Sequence, residues 1–519
     1  MSKSLYLLEK YFTTGTAEAE GHILADAFVT LANYLEIINP PHASPRLLVG
    51  KKGSGKSAFM TVLQERLKSA GVPVVLIKPE NMAIGEFFPD SAIGQLVKQA
   101  TGALLDSIAG QLGGQLTGFL TSSDEAALSN YALKTGRKDK DFVQKSLQVL
   151  APIGAALTKI DFQKMAKEFG SGTMEEIRRA ILSNLGKSEK IFYLLLDDTD
   201  QVAAPNEPTH LNRIWAFILA ARSICQQSNN IRCILTLRSE VWIRLERDFA
   251  GQRDQVDHFR NLVFWLNPGE TDVGDIVERR LTLALREAEM PTTNLYNPFF
   301  EGQNVSIPTS AMETRSWRDF IVKRSRERPR DAVQLIALLV RTARQAKDEK
   351  INSLHVGNSI AKYSEERVDD LKREVDQECL RIKEVVRSFA SLEYDDGSFT
   401  LSANALKKHL ATLPSRFGIS LFGVLLRPGN EADIFTLWRF LFDIGLFAPR
   451  TGDVEQRKGY THLNVRDDLD LVAKSRWNDM QKYGWEINPA YRDFLLAIHK
   501  RDTLGLQLPR GRRQERRQR

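Results

Sequence analysis

The most specific chemical signal in the sequence is the stretch Leu47-Leu48-Val49-Gly50-Lys51-Lys52-Gly53-Ser54-Gly55-Lys56-Ser57. A short apolar run meets G-x-x-x-x-G-K-S, and a helix-forming pattern follows. Glycine lets a backbone take positive φ and approach an anion with no Cβ in the way. Successive N–H groups, followed by a helix N-terminus, then face that anion. This is the pattern of a phosphate cradle. Gly50, Lys51, Lys52, Gly53, Ser54 and Gly55 would wrap the phosphates, Lys56 would reach the outer ones, and the Ser57 hydroxyl would ligate Mg²⁺.

A second stretch, Ile191-Phe192-Tyr193-Leu194-Leu195-Leu196-Asp197-Asp198-Thr199-Asp200, ends six apolar residues in acids. Ligands of parallel α/β sheets bind at the carboxyl ends of strands, where these acids fall. Asp197 would hold Mg²⁺. Asp198 would orient or deprotonate an attacking water. Asp200 reads equally as a helix cap or a site residue. Arg238, at the end of the β-branched run Ile231–Leu237, would sense a terminal phosphate. Arg328 and Arg330 flank Pro329 at a helix start, where positive charge opposes the macrodipole and needs an anion or solvent.

The elements that must position these residues alternate. Strands are expected at 47–49, 72–78, 191–196, 231–237 and 262–266. Helices follow the first at Phe59, Met60, Leu63 and Leu67, stopping at Gly71, and recur at Leu211–Cys225, Val241–Phe249 and Asp272–Glu289. The pattern predicts an α/β fold with a doubly wound parallel sheet of about five strands. Residues 81–190 read as a mostly helical insert, with apolar spacing over Ser91–Leu120, Asp124–Leu133 and Asp141–Phe169 and a capping box at Thr173–Glu176. Ala17–Ile38 reads as one amphipathic helix, broken by Pro40, Pro41 and Pro45 before the first strand. After the sheet the pattern is all-helical, with Ile360–Leu392 as one long charged connector. Residues 393–505 carry helices at Leu401–Leu413 and Asp433–Ile444, a ribbon over Leu446–Val465, and a last helix at Ala490–His499. The expected domains are a core over 1–270 with an insert at about 81–185, a helical lid over 271–350, a connector over 351–392, a winged-helix-like domain over 393–505 and a basic tail over 506–519.

Composition narrows the classes. The chain has 519 residues, 42% of them apolar and 26% charged, which is ordinary for globular domains. No signal peptide is read at the N-terminus, and no clean apolar run reaches membrane-spanning length. The nearest, Gly102–Leu120, carries Asp106, Gln111 and Gln115. Cys225, Cys233 and Cys379 make no close pair, so they read as small buried residues in a cytoplasmic protein. The net charge is +7, and Arg510–Arg519 holds six arginines against one glutamate. Such a segment cannot bury a core and suits a polyanion or solvent.

These motifs together resemble the signal-transducing and AAA+-like P-loop ATPases. Gly50–Ser57 is similar to their Walker A motif, and Leu194–Asp198 to their Walker B with a second catalytic acid. Leu235-Thr236-Leu237-Arg238 resembles the sensor 1 of NB-ARC-type switches. Arg328-Pro329-Arg330-Asp331 resembles the sensor 2 helix of origin-recognition initiator ATPases, which also carry a C-terminal winged helix. The layout resembles bacterial stand-alone KAP-type ATPases and their relatives in anti-phage defence, although KAP proteins carry membrane helices where this chain has its insert.

The resemblance implies an ATPase using ATP and Mg²⁺ as a switch. Asp198, Arg238 and Arg330 would be catalytic, Gly50–Ser57 would hold the nucleotide, and Ser57 and Asp197 the metal. An effector protein or further copies of the chain would be partners. The alternative is a DNA-binding initiator- or loader-like ATPase that acts through residues 393–519.

Overall fold

The computed structural model describes residues 3–30, 33–79, 92–115, 123–134, 174–187, 191–202, 210–247, 258–307, 313–394, 399–452, 460–463, 465 and 467–507. The Asp141–Phe169 helix and the Arg510–Arg519 cluster lie outside them. The chain forms two compact units. One comprises Thr30–Lys51 and Gly55–Asn267; the other comprises Met1–Val29, Lys52–Ser54 and Pro268–Arg519.

The chain opens with α1 (Lys3–Tyr11) and α2 (Gly21–Ala27), both of the second grouping. The sheet unit then starts at α3 (Tyr34–Ile38) and continues through β1 (Arg46–Gly50), α4 (Lys56–Ser69), β2 (Val74–Ile77), α5 (Ile93–Gln115), α6 (Ser123–Lys134) and α7 (Met174–Lys187). It ends with β3 (Phe192–Leu196), a 3-10 turn at Thr199–Val202, α8 (His210–Cys225), β4 (Ile231–Arg238), α9 (Ser239–Arg247) and β5 (Val263–Trp265). The expected helix over Ala17–Ile38 is therefore two short ones. Phe28 is extended, with ψ 124°, and Phe28-Val29-Thr30 is a run of aromatic and β-branched residues that lose rotamer freedom in a helix.

Five strands pair in parallel in the order β2-β3-β4-β1-β5. The register sets Gly50 beside Arg238 and Leu196 beside Leu235. The strands are apolar runs rather than alternations because both faces are covered. Leu47, Leu48, Val49, Leu194 and Leu195 are all fully buried. Helices α5 and α8 pack together, with Trp215 against Trp242 and Phe259 in the same core. Gly113 lets α5 cross α6: a Cβ there would lie 1.9 Å from the Leu128 carbonyl oxygen. The apolar α5 is thus a core helix, and among the described residues no helix is long and apolar enough to cross a membrane. The three cysteines are free and buried, as their spacing implies.

The other unit adds α10 (Glu270–Glu287), β6 (Asn304–Ile307), β7 (Glu313–Ser316), α11 (Trp317–Arg324), α12 (Pro329–Ala346), α13 (Ser353–Val375) and α14 (Ile382–Ser388). Two expectations are corrected here. The lid region is not all-helical, since β6 and β7 pair as an antiparallel hairpin. The long helix over Ile360–Leu392 ends at Val375 and resumes at Ile382, because the Glu378 carbonyl accepts the Phe422 N–H at 2.9 Å. Helix α13 contributes to the core through Val356, Ile360, Tyr363, Val368 and Leu371, all buried. Helix α1 packs Leu5, Leu8 and Phe12 into the core of α10 and α12. Arg280 pins it by donating to the Tyr11 carbonyl at 2.7 Å and to Glu20 at 2.6 Å.

The chain closes with β8 (Thr400–Leu401), α15 (Ala403–Phe417), β9 (Ser420–Leu421), β10 (Val424–Leu425), α16 (Glu431–Asp443), β11 (Phe447–Gly452), β12 (Tyr460–His462), α17 (Trp477–Met480), β13 (Gly484–Ile487) and α18 (Pro489–Gln507). Ser402 and Asn430 cap α15 and α16 with their side chains. An antiparallel sheet of order β12-β11-β13-β8 backs these helices. Fully buried Trp485 packs edge-on against Trp438 at 4.6 Å.

Candidate functional site

The loop after β1 curls around its own lysine. Gly53 and Gly55 take φ of +80° and +102°, values that a side-chain-bearing residue adopts only under strain. Gly55 is the N-cap of α4, so the N–H groups of the first turn open toward the loop. Lys56 is buried, and its Nζ donates to the carbonyls of Gly50 at 2.7 Å and Lys51 at 3.1 Å. Burial pushes its pKa down, and Asp200, Glu240, Asp197 and Asp198 oppose that push. Ser57 sits in the first turn of α4, half-buried. Lys52, Gly53 and Ser54 group with the other unit.

The acids come from β3, and β4 lies next to it. Fully buried Thr236 of β4 bridges two of them. Its hydroxyl donates to Asp197 Oδ1 at 2.7 Å and accepts the Asp198 N–H at 2.9 Å. Asp198 has φ +52°, in the left-handed region that aspartate tolerates better than most residues. Burial, followed by the charges of Asp197 and Asp200, raises its pKa to about 6. That suits a carboxylate meant to take or orient a proton near neutral pH. The kink leads into the 3-10 turn that carries Asp200. Asp200 accepts from Arg238 Nε at 2.5 Å, and Glu240 stands 4.0 Å from the same guanidinium. His210 is buried alongside; burial and then the Arg244 charge press its pKa down to about 4.

In the sheet unit the structure thus brings Gly50, Lys51, Gly55, Lys56, Ser57, Asp197, Asp198 and Arg238 to the carboxyl edge of one sheet. Oxygen donors such as Ser57 and Asp197 are what Mg²⁺ requires, with phosphates supplying further ligands. Sequence reasoning missed Thr236 as a site residue, together with Glu240 and His210, and left Asp200 undecided. The signal for Thr236 was present: a lone hydroxyl inside a buried apolar strand must find a partner.

Arg330 belongs to the other unit. With Lys52, Gly53, Arg328, Gln334 and Arg341 it lines a cavity of about 810 Å³ within that unit. Gly15, at φ +71°, lets the segment after α1 run close over Arg330, where a Cβ would come within 2.9 Å of the Arg330 carbonyl oxygen. Arg328 faces neither solvent nor a free anion. It is buried and donates to both oxygens of Glu374, at 2.8 and 2.9 Å. Asp331 is held by Arg326 at 2.6 Å and Arg367 at 2.7 Å. Burial would raise its pKa, but Arg326, Arg367 and Arg328 keep it low.

Residues 272–372 match the description FunZ-associated C-terminal helical domain. A comparison with curated proteins returned no match. Among solved structures, the chain is similar to the Aeropyrum pernix ORC2 protein in ADPNP-ADP complexes. That match has 11% identity, covers 94% of this chain and 95% of that one, and has a TM-score of 0.38. It is also similar to the Aeropyrum pernix ORC1 protein in complex with DNA, at 16% identity, 98% and 100% coverage and a TM-score of 0.34. A third is the Cdc6p of Pyrobaculum aerophilum, at 14% identity, 91% and 98% coverage and a TM-score of 0.31.

Proposed function

We propose that this chain is a Mg²⁺-dependent P-loop ATPase whose nucleotide state is read by a partner. The observation that carries the reading is the shared edge of the sheet. A glycine loop wrapped on buried Lys56 faces the Asp197–Thr236–Asp198 bridge and the Asp200–Arg238 pair. Lys56 would exchange its two carbonyl partners for phosphate oxygens. Ser57 and Asp197 would hold Mg²⁺, which supplies charge neutralisation at the phosphates. Asp198 would orient the attacking water. Arg238 would meet the terminal phosphate.

Two outputs are compatible with this site: an effector-coupled switch of the signalling or anti-phage type, and an initiator- or loader-like ATPase acting on DNA. One observation favours the second. Helices α15 and α16 beside the β11–β12 ribbon support a winged-helix-like reading of residues 393–505, a module that places a helix in the major groove. The basic segment Arg510–Arg519 would add affinity for phosphates. The test is ATP turnover with and without duplex DNA, with oligomeric state followed by light scattering. Stimulation by duplex supports the DNA reading, and turnover indifferent to duplex returns the argument to the effector switch. Absence of any turnover overturns the ATPase itself.

A further inference from the structure

Asp200 is an acid of this site with no role in the scheme above. Its residue is 3% exposed, and one carboxylate oxygen, Oδ2, takes the Arg238 Nε–H at 2.5 Å. The other, Oδ1, is buried and makes no hydrogen bond to the described residues. Among the acids acting on Lys56, Asp200 acts most strongly, ahead of Glu240, Asp197 and Asp198. It therefore acts on the lysine of the loop and the arginine of the neighbouring strand at once. His210, packed near it, is neutral at pH 7 and brings no competing positive charge.

The contact to Arg238 goes through Nε, the stem side of the guanidinium. A guanidinium is a rigid planar fork, so fixing Nε fixes the direction of both terminal nitrogens. Arg238 is one-fifth exposed and Asp200 is not, so the acid is the fixed member and the arginine the aimed one. The φ of +52° at Asp198 turns the chain so that the 3-10 turn carrying Asp200 packs on β4.

We propose that Asp200 is a positioning residue for phosphoryl transfer: it aims the Arg238 guanidinium at the terminal phosphate and touches no reacting atom itself. The inference rests on the triphosphate-hydrolysis reading of the site. An aimed arginine acts on the transition state more than on ground-state binding, so its loss lowers kcat with little change in affinity.

The test is a double-variant cycle of Asp200→Asn and Arg238→Gln in the full chain. The readouts are kcat for ATP and the Kd of Mg·ATPγS. Each single variant is expected to lower kcat by about tenfold or more, with Kd within about twofold, and the double variant to be no slower than Arg238→Gln alone. Losses that multiply, or wild-type kcat in Asp200→Asn, overturn the positioning role. Should Asp200→Asn fail to fold, Arg238→Lys serves: it keeps the charge but loses the Nε contact. It should be as slow as Arg238→Gln, and a wild-type rate would overturn the proposal. Lys56→Ala, run alongside, separates the two levels. If it binds Mg·ATPγS as the wild type does, the triphosphate reading fails. If it loses binding while Asp200→Asn turns over normally, only the role of Asp200 fails.

Discussion

Replacing Thr236 by valine keeps the side-chain shape and removes one hydroxyl. That hydroxyl bridges the carboxylate of Asp197 and the backbone N–H of Asp198, at 2.7 and 2.9 Å, in a residue with no exposure. A hydrogen bond to a carboxylate contributes about 1.5–3 kcal/mol, and a buried N–H left unpaired costs about 1–3 kcal/mol. The methyl replacing the hydroxyl recovers little. A loss of about 3 kcal/mol is expected, which in a unit of this size lowers its melting transition by roughly 6–12 °C. The functional loss should be larger than the stability loss suggests. Asp198 sits at φ +52°, and releasing its N–H frees the backbone that aims its carboxylate; misplacement by about 1 Å can cost about 10²-fold in rate. Thr236→Ser is the control, since it keeps the hydroxyl and removes only a methyl group, about 1 kcal/mol. Phosphate release under saturating Mg·ATP and scanning calorimetry read the two effects. A valine variant that melts and hydrolyses like the wild type would refute the bridge as an organiser of the site.

Lys56→Ala should nearly abolish nucleotide binding, and calorimetric titration with Mg·ATP showing wild-type affinity would sink the loop assignment. Asp198→Asn should retain Mg·ATP but lose turnover, so rapid hydrolysis in that variant would remove Asp198 from the chemistry. Two of the buried histidines, His210 and His409, set an acid limit on stability. Burial, together with Arg244 for His210 and Arg416 for His409, lowers both pKa values to about 4. A histidine whose folded pKa is depressed contributes stability above its unfolded value of about 6.5, and that stability is lost as pH falls toward 4. At pH 5 each should cost roughly 2 kcal/mol relative to pH 7.5. Urea denaturation of His409→Gln between pH 7.5 and 5 should therefore show a shallower decline than wild type; parallel curves would exclude His409 as a source of it.

The sheet was legible because its strands are buried on both faces. Runs such as Leu47-Leu48-Val49 and Phe192–Leu196 need no alternation to be recognised, and the glycine loop and acids marked their carboxyl ends. What was lost depended on contacts distant in sequence. The hairpin of β6 and β7 has four-residue strands, too short for a period-2 pattern to stand out. The break after Val375 has neither glycine nor proline to announce it. It follows from the pairing of the Glu378 carbonyl with Phe422, 44 positions away. Helix α1 groups with α10 and α12 because of Phe12 and the buried Arg280–Glu20 pair, which no local pattern signals.

The same distinction separates the two arginines read at the start of α12. The macrodipole argument treats Arg328 and Arg330 alike, since each opposes it and each needs an anion or solvent, and only the family resemblance singled out Arg330. The fold resolves them through Glu374, which lies on the neighbouring α13 and binds Arg328 with both oxygens. Among the described residues Arg330 has no ion-pair partner. Arg328 therefore meets the cost of its position inside the protein, and its replacement should act on folding. Arg330 makes no such internal pair among the described residues. It is held by a loop that only a left-handed glycine, Gly15, allows to pass so close. The cavity that Arg330 lines also carries the carboxylates of Glu9, Glu366 and Asp370. Of the pair, Arg328 is thus the one committed to an internal carboxylate, and Arg330 the one that lines the cavity without an ion pair to the described residues.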